Sequence, residues 1–199
     1  LHELFVAARA SAPSLIFFDE IDTLGQRRSS LRNAATLRSV VNQLLVELDG
    51  VDASNDGLYV LAASNQPWDI DPALRRPGRF DRTLLVGPPD APARESIFAT
   101  HLRERPTEGI DAKSLARATD GLSGADIAFV CGTAAEMALL DSVESGRPRP
   151  ITMQDLHDAI KETPASIIPW LDTARNVVTF SDDGTYTDLK GLLRRMRRT

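Results

Sequence analysis

Cysteine is nearly missing from this sequence: Cys131 is the only one in 199 residues. A single thiol excludes a disulfide framework and makes a reducing compartment the expected home. Cys131 falls on the apolar face of a predicted helix, so it reads as a small core residue and not as a nucleophile. Long hydrophobic runs are missing too. The longest apolar cluster, Leu15-Ile16-Phe17-Phe18, is closed at once by Asp19 and Glu20, far short of the roughly 20 residues that span a bilayer. Excess positive charge is absent. A net charge of −5 argues against a general nucleic-acid binder. The cluster Arg194, Arg195, Arg197, Arg198 is a local exception and suits a solvated helix C-terminus. No signal peptide is visible, and the first residues already read as mid-helix, so a longer chain is expected upstream. What remains, 42% hydrophobic and 26% charged residues, is the balance of a soluble globular protein of one or two domains. A cytoplasmic location without membrane partners is expected.

Residues 2–10 read as a helix with Leu4, Phe5 and Ala8 on one side, stopped by Pro13. Leu15–Phe18 is continuously apolar, as expected of a strand buried on both faces of a parallel sheet. A polar stretch over 24–34, with Arg27, Arg28, Ser29, Ser30 and Arg32, reads as a loop. Leu37, Val40, Val41, Leu44, Leu45 and Leu48 then follow helical spacing, and Gly50 stands where a C-cap belongs. Leu58–Ala62 reads as a second strand and Thr83–Val86 as a third. Strand, helix, strand indicates an α/β layer.

The character changes at Gly87-Pro88-Pro89. Beyond it the sequence is helical. Asp90 and Asp111 are placed to cap helices carrying Ile97, Phe98, Leu102 and Leu115. Ser123 with Asp126, and Thr152 with Asp155, form capping boxes ahead of Ile127, Val130, Ala134 and Met137, and of Leu156 and Ile160. Trp170 and a last helix with Leu189, Leu192, Leu193 and Met196 complete the tail. That last helix is amphipathic and basic, so packing within the protein and lying on a membrane surface both suit it; packing is expected.

Three segments carry chemistry. The apolar strand Leu15–Phe18 delivers Asp19 and Glu20 to the C-terminal edge of a parallel sheet, where ligands bind. Adjacent carboxylates repel, and Mg²⁺ would reconcile them: Asp19 could hold the ion while Glu20 polarises a water attacking a γ-phosphate. An acidic helix cap after a strand would look the same. Asn65 follows the second strand closely, so its amide reaches the same edge and could bond a phosphate oxygen or that water; it also suits a turn. The run Asp71 to Arg82 holds four arginines around Pro77-Gly78, a rigid bend from which Arg76 and Arg79 project together. Guanidinium groups on such a corner suit phosphate, although a surface loop salt-bridged through Asp71 and Asp81 has the same composition.

In order and spacing these segments resemble the AAA ATPases over residues 1 to about 164. Phe17-Phe18-Asp19-Glu20-Ile21-Asp22 resembles the family's Walker B segment, Ala63-Ser64-Asn65 its first sensor, and Asp69 through Arg82 its second region of homology. Gly121-Leu122-Ser123-Gly124-Ala125-Asp126 resembles the lid motif beside the nucleotide. The tail Pro169 to Asn176 is similar to bacterial sporulation- and chloroplast-type members.

The resemblance implies ATP and Mg²⁺ as cofactors. It makes Asp19 the magnesium-side carboxylate, Glu20 the residue that activates water, and Asn65 the γ-phosphate sensor. Arg76 and Arg79 would act in trans on a neighbouring subunit, which implies a ring, usually a hexamer of identical subunits. Ile97, His101, Gly124 and Ala125 would meet the adenine and ribose.

No Gly-x-x-x-x-Gly-Lys-Ser/Thr occurs, and the aromatic pore loop of the family is absent as well. The expectation is therefore a fragment: the C-terminal half of a P-loop-type α/β domain over 1–89, a helical lid over 90–164, and a helical tail over 165–199. The expected function is ATP hydrolysis coupled to protein remodelling or unfolding. A non-catalytic ring subunit that only donates arginine fingers is the alternative. No zinc-binding His-Glu-x-x-His stands in the sequence, and the segment after the lid is too short for a protease domain.

Overall fold

The computed structural model describes residues 1–24, 35–50, 54–180 and 186–196. Most of the polar stretch expected as a loop, the side chain of Leu37, and Arg197 and Arg198 lie outside the described residues. The chain divides into two compact units, 1–84 and 85–199.

The first unit is built on a β-α-β crossover. Strand β1 (Ser14–Phe18) pairs in parallel with β2 (Leu58–Ala62), Phe18 opposite Ala62. Helices α1 (His2–Ala10), α2 (Ile21–Leu24) and α3 (Ala35–Asp49) accompany them. Parallel neighbours need such a crossover because a tight turn cannot reverse the chain twice. The core gathers Phe5, Ile16, Phe18, Ile21, Val41, Leu44, Leu48, Ile70 and Leu74. Phe5 is fully buried, and its ring stacks on Phe18 with centroids 6.4 Å apart.

A buried carboxylate, Glu47, ties this unit together. Burial alone would raise its pKa, but hydrogen bonds from His2, Gln43 and Arg9 outweigh that and hold it below the usual value. Arg9 also bonds Asn55 at 3.0 Å and lies over the Phe5 ring, so α1, α3 and the approach to β2 share one anchor.

Three sequence expectations need correction here. Leu15 and Phe17 are 61% and 53% exposed, so the sheet is covered on one face only by the described residues. Alternation along β1 sends Ile16 and Phe18 inward and their neighbours outward. Leu4 is exposed as well, because the helix turns Phe5, with Ala8 partly buried beside it, toward the core. Residues 83–86 form no strand; Leu84 and Val86 are 87% and 93% exposed. A strand needs a neighbour for its N–H and C=O groups, and the sheet of the described residues pairs β1 with β2 alone.

The second unit is helical: α4 (Ala91–Leu102), α5 (Ala112–Ala118), α6 (Gly124–Ser145), α7 (Met153–Glu162), α8 (Ile168–Phe180) and α9 (Thr187–Met196). Asp90 and Asp111 cap α4 and α5 by accepting backbone N–H bonds, and both capping boxes form, at Ser123–Asp126 and Thr152–Asp155. Phe98, Leu115, Ile127, Val130, Cys131, Ala134 and Leu156 make one core. Burial pushes the Cys131 thiol up to about 11, so it stays neutral and inert. Helix α8 carries no cap signal in the sequence, and Pro169 suggests a break. Proline fits there because a first-turn N–H has no intrahelical acceptor. In α9, Leu189, Leu192 and Leu193 are buried and Leu192 lies against Gly87, so its apolar face is covered within this unit. No helix of the described residues is long and apolar enough to cross a membrane.

Candidate active site

The register of β1 and β2 assembles the first part of the site. Because Phe18 pairs with Ala62, the segments leaving the two strands run side by side. Ala63 N–H donates to Phe18 O at 2.8 Å, and Ile21 N–H donates to Ala63 O at 3.0 Å. Asp19, Glu20 and Asn65 therefore stand at one sheet edge, all exposed.

Glu20 is the only non-glycine described residue with positive φ, at 50°. The left-handed region costs an L-residue about 1 kcal/mol or more, so its neighbours must hold it. Asp19 Oδ1 accepts the Glu20 N–H at 2.9 Å, and the Glu20 carbonyl accepts from both Thr23 N–H and Thr23 Oγ1. The turn is fixed at both ends, which sets where the Glu20 carboxylate leaves the backbone.

The opposite turn is fixed by a contact that sequence reasoning missed. Ser64 Oγ donates to Asp22 Oδ1 at 2.6 Å and accepts the Gln66 N–H at 3.0 Å. Asn65 lies between these anchored residues.

The arginine corner forms its turn, but Arg76 and Arg79 do not project from it together as expected. Asp71 caps a 3-10 turn (Pro72–Arg75) whose Leu74 is buried in the first unit's core. Arg79 N–H then donates to Arg76 O at 3.1 Å around Pro77 and Gly78, the latter at φ 85°. This is a type II turn, which requires glycine at its third position. Arg76 is exposed, and no described residue bonds its side chain. Arg79 instead grips Asp49 through Nε at 2.6 Å and Nη2 at 2.7 Å, and Ala73 O through Nη1 at 2.6 Å. The carboxylate holds Arg79 above its ordinary pKa, and the guanidinium holds Asp49 below its own. Asp49 was not among the residues singled out, although an acid closing a helix C-terminus opposes the helix dipole and is a readable anomaly.

In the second unit, Ile97 and His101 are one turn apart on α4. Gly124 opens α6, and a Cβ there would stand 3.7 Å from Ile97 Cδ1. Ile97, Gly124 and Ala125 are thus neighbours, with His101 exposed one turn along α4.

For a metal, the described residues hold no group of three or more His, Cys, Asp or Glu. The hard carboxylate of Asp19, beside Glu20, fits Mg²⁺, which takes one or two carboxylates and fills its remaining positions with water and phosphate oxygens.

Comparison with known proteins matches residues 1–88 to the ATPase family associated with various cellular activities (AAA), and residues 109–158 to an AAA+ lid domain. The Cell division cycle protein 48 homolog of Archaeoglobus fulgidus is 40% identical over 178 residues, covering 84% of this chain and 24% of that protein. ATP-dependent zinc metalloprotease FtsH 2 of Sphaerobacter thermophilus is 40% identical over 183 residues, 92% of this chain and 26% of that protein. ATP-dependent zinc metalloprotease FtsH of Haemophilus influenzae is 47% identical over 141 residues, 69% of this chain and 22% of that protein. The chain spans about a quarter of the length of these relatives.

Proposed function

The chain belongs to the AAA family of ATPases, and on that premise we propose that its two units are the hydrolytic half and the lid of a ring-forming ATPase that remodels or unfolds proteins. The observation that carries this reading is the convergence of Asp19, Glu20 and Asn65 on one sheet edge through the Phe18–Ala62 register.

The chemistry follows from what these groups can do. Glu20, its backbone held in a left-handed turn, orients a water for in-line attack and accepts its proton. Asn65, neutral, donates an amide hydrogen bond to the γ-phosphate or to that water without repelling either. Asp19 supplies an oxygen ligand to Mg²⁺, which when bound neutralises charge on the phosphates. Ile97, Gly124 and Ala125, with His101 beside them, receive the base and ribose on the second unit. The arginine corner meets the nucleotide of a neighbouring copy, so the working assembly is a ring, a hexamer by the family resemblance. The phosphate-binding loop belongs to chain outside these residues. A cytoplasmic workplace accords with the single cysteine.

The test is a subunit-mixing ATPase assay in a chain carrying these residues together with a phosphate-binding loop. Glu20→Gln and Arg76→Ala should each bind ATP and be nearly inactive alone. Mixed rings should regain activity at interfaces that join an intact Arg76 to an intact Glu20. A mixture no faster than its parents at every ratio, with subunit exchange demonstrated, would argue against action in trans.

A further inference from the structure

Beyond residue 158, where the match to the AAA+ lid domain ends, the last two helices border a charged cavity. We propose that this cavity, between α8 and α9, binds the phosphoryl group of a small soluble organic phosphate. The proposal goes beyond the ring-ATPase reading and does not rest on it.

The cavity measures about 300 Å³ and is lined by Arg175, Val178 and Thr179 of α8 and by Lys190, Leu193 and Arg194 of α9. Each trio follows the i, i+3, i+4 spacing that places side chains on one helix face. The two faces are alike, with a cation first and an apolar residue one turn later. Val178 and Leu193 are buried, while Arg175 and Lys190 are half-buried and Arg194 is exposed. Three cations thus meet at one cavity in a chain whose net charge is −5.

Both arginines have bonding capacity to spare. Arg175 Nη1 donates to Asp172 Oδ1 at 2.7 Å, an exposed pair three residues apart on α8. Such pairs are weak. The Arg175 Nε is buried without a hydrogen-bond partner. An unpaired buried donor is costly, and turning the guanidinium toward a bound oxyanion would relieve it. Arg194 has no partner among the described residues.

The chemistry of the lining selects the ligand. A guanidinium fork suits the oxygens of phosphate. A phosphate monoester carries about 1.5 to 2 negative charges at neutral pH, and three cations, one of them shared with Asp172, match a dianion better than a carboxylate. Small-molecule sites start at roughly 300 Å³, so the cavity has room for an organic body beside the phosphoryl group, and Val178 and Leu193 suit one. A soluble ligand fits better than a bilayer because Leu189, Leu192 and Leu193 are buried, which leaves α9 no apolar face to lie in lipid.

The experiment uses the full-length protein in excess ADP, which occupies the nucleotide site. Phenyl phosphate is titrated by calorimetry at constant ionic strength, with inorganic phosphate and benzoate for comparison. Phenyl phosphate should bind once per chain, severalfold tighter than inorganic phosphate and at least about tenfold tighter than benzoate. Arg175→Gln and Arg194→Gln should each weaken it by about tenfold or more. Arg195→Gln removes an exposed arginine that does not line the cavity, and should leave binding unchanged.

The proposal is overturned if phenyl phosphate shows no saturable binding at millimolar concentrations, or if its binding survives both cavity variants. It is overturned too if Arg195→Gln weakens binding as much as Arg194→Gln, since the charge would then act diffusely. Benzoate binding as tightly as phenyl phosphate would refute the phosphoryl assignment. Binding confined to phosphatidic acid vesicles, with phenyl phosphate left free, would assign the cations to a membrane surface instead. Should Arg175→Gln fail to fold, Arg194→Gln alters an exposed residue and carries the same comparison.

Discussion

Ser64 Oγ lies 2.6 Å from Asp22 Oδ1, a bond that joins the turn after β2 to the first turn of α2 across 42 residues of sequence. The acceptor is a carboxylate, so the bond is charge-assisted. It sets the distance between Asn65, next to Ser64, and Glu20, two residues before Asp22. Ser64→Ala should therefore separate stability from function. Unfolding free energy should fall by about 1 kcal/mol, while kcat falls about tenfold with nucleotide affinity unchanged. Denaturant titration and steady-state ATPase rates check both. An unchanged kcat would mean that the two turns are held elsewhere.

Glu20 combines a functional position with a backbone that few L-residues tolerate, at φ 50°. Glu20→Gln keeps shape and hydrogen bonds and removes the base, so ATP should bind while turnover falls by at least about 100-fold. Substitutions graded by conformation test the strain separately. Glu20→Gly should be at least about 1 kcal/mol more stable than Glu20→Val, because glycine enters the left-handed region freely and a β-branched residue does not. Both should be inactive. Equal stabilities by chemical denaturation would show that this turn relaxes when Glu20 is replaced.

A Cβ at Gly124 would lie at ordinary contact distance, 3.7 Å, from Ile97 Cδ1. Gly124→Ala should therefore fold and bind nucleotide nearly as the wild type does. Gly124→Leu should fold too, since Gly124 itself is only half-buried, but its larger side chain fills the space before Ile97. Nucleotide affinity should drop by roughly tenfold or more. Fluorescent nucleotide titration of the full-length protein measures this, and normal binding by the leucine variant would remove the Ile97–Gly124 contact from the base-binding surface.

The helical unit should show an acid-sensitive stability. The Arg149 guanidinium, helped by Thr152, draws the Asp155 carboxyl down from 3.8 to about 2. A carboxylate depressed in the folded state adds stability above its unfolded pKa of about 4 and loses it as pH falls toward 2. The wild-type chain should lose stability steeply between pH 4 and 2. Asp155→Asn should be less stable at neutral pH and lose less over that window. Helical circular dichroism with denaturant at several pH values checks the two slopes; parallel slopes would mean that Asp155 contributes nothing to them.

Local signals were legible in the sequence because they are short-range. The capping boxes at Ser123 and Thr152, the Asp90 and Asp111 caps, the glycine after α3 and the Pro77-Gly78 bend each depend on residues within four positions of one another. The apolar run ending in Asp19-Glu20 likewise announced a strand edge bearing acids. What stayed hidden depends on separations of tens of residues. That Arg79 pairs with Asp49 and leaves Arg76 without a partner among the described residues, and that Ser64 reaches Asp22, follows only once α3, β1 and β2 are packed. That Leu15 and Phe17 face outward while Ile16 and Phe18 are buried is a matter of which face the helices cover, which an unbroken apolar run cannot encode. The apolar segment Thr83–Val86 looked like a strand because β-propensity measures fit to a neighbouring surface. No described strand pairs with it, and its backbone stays irregular. Hydrophobic spacing and caps set each element's type; the partners, and so the directions of the site residues, come from tertiary contacts, because a hydrogen bond or ion pair exists only where folding brings its two ends within about 3 Å.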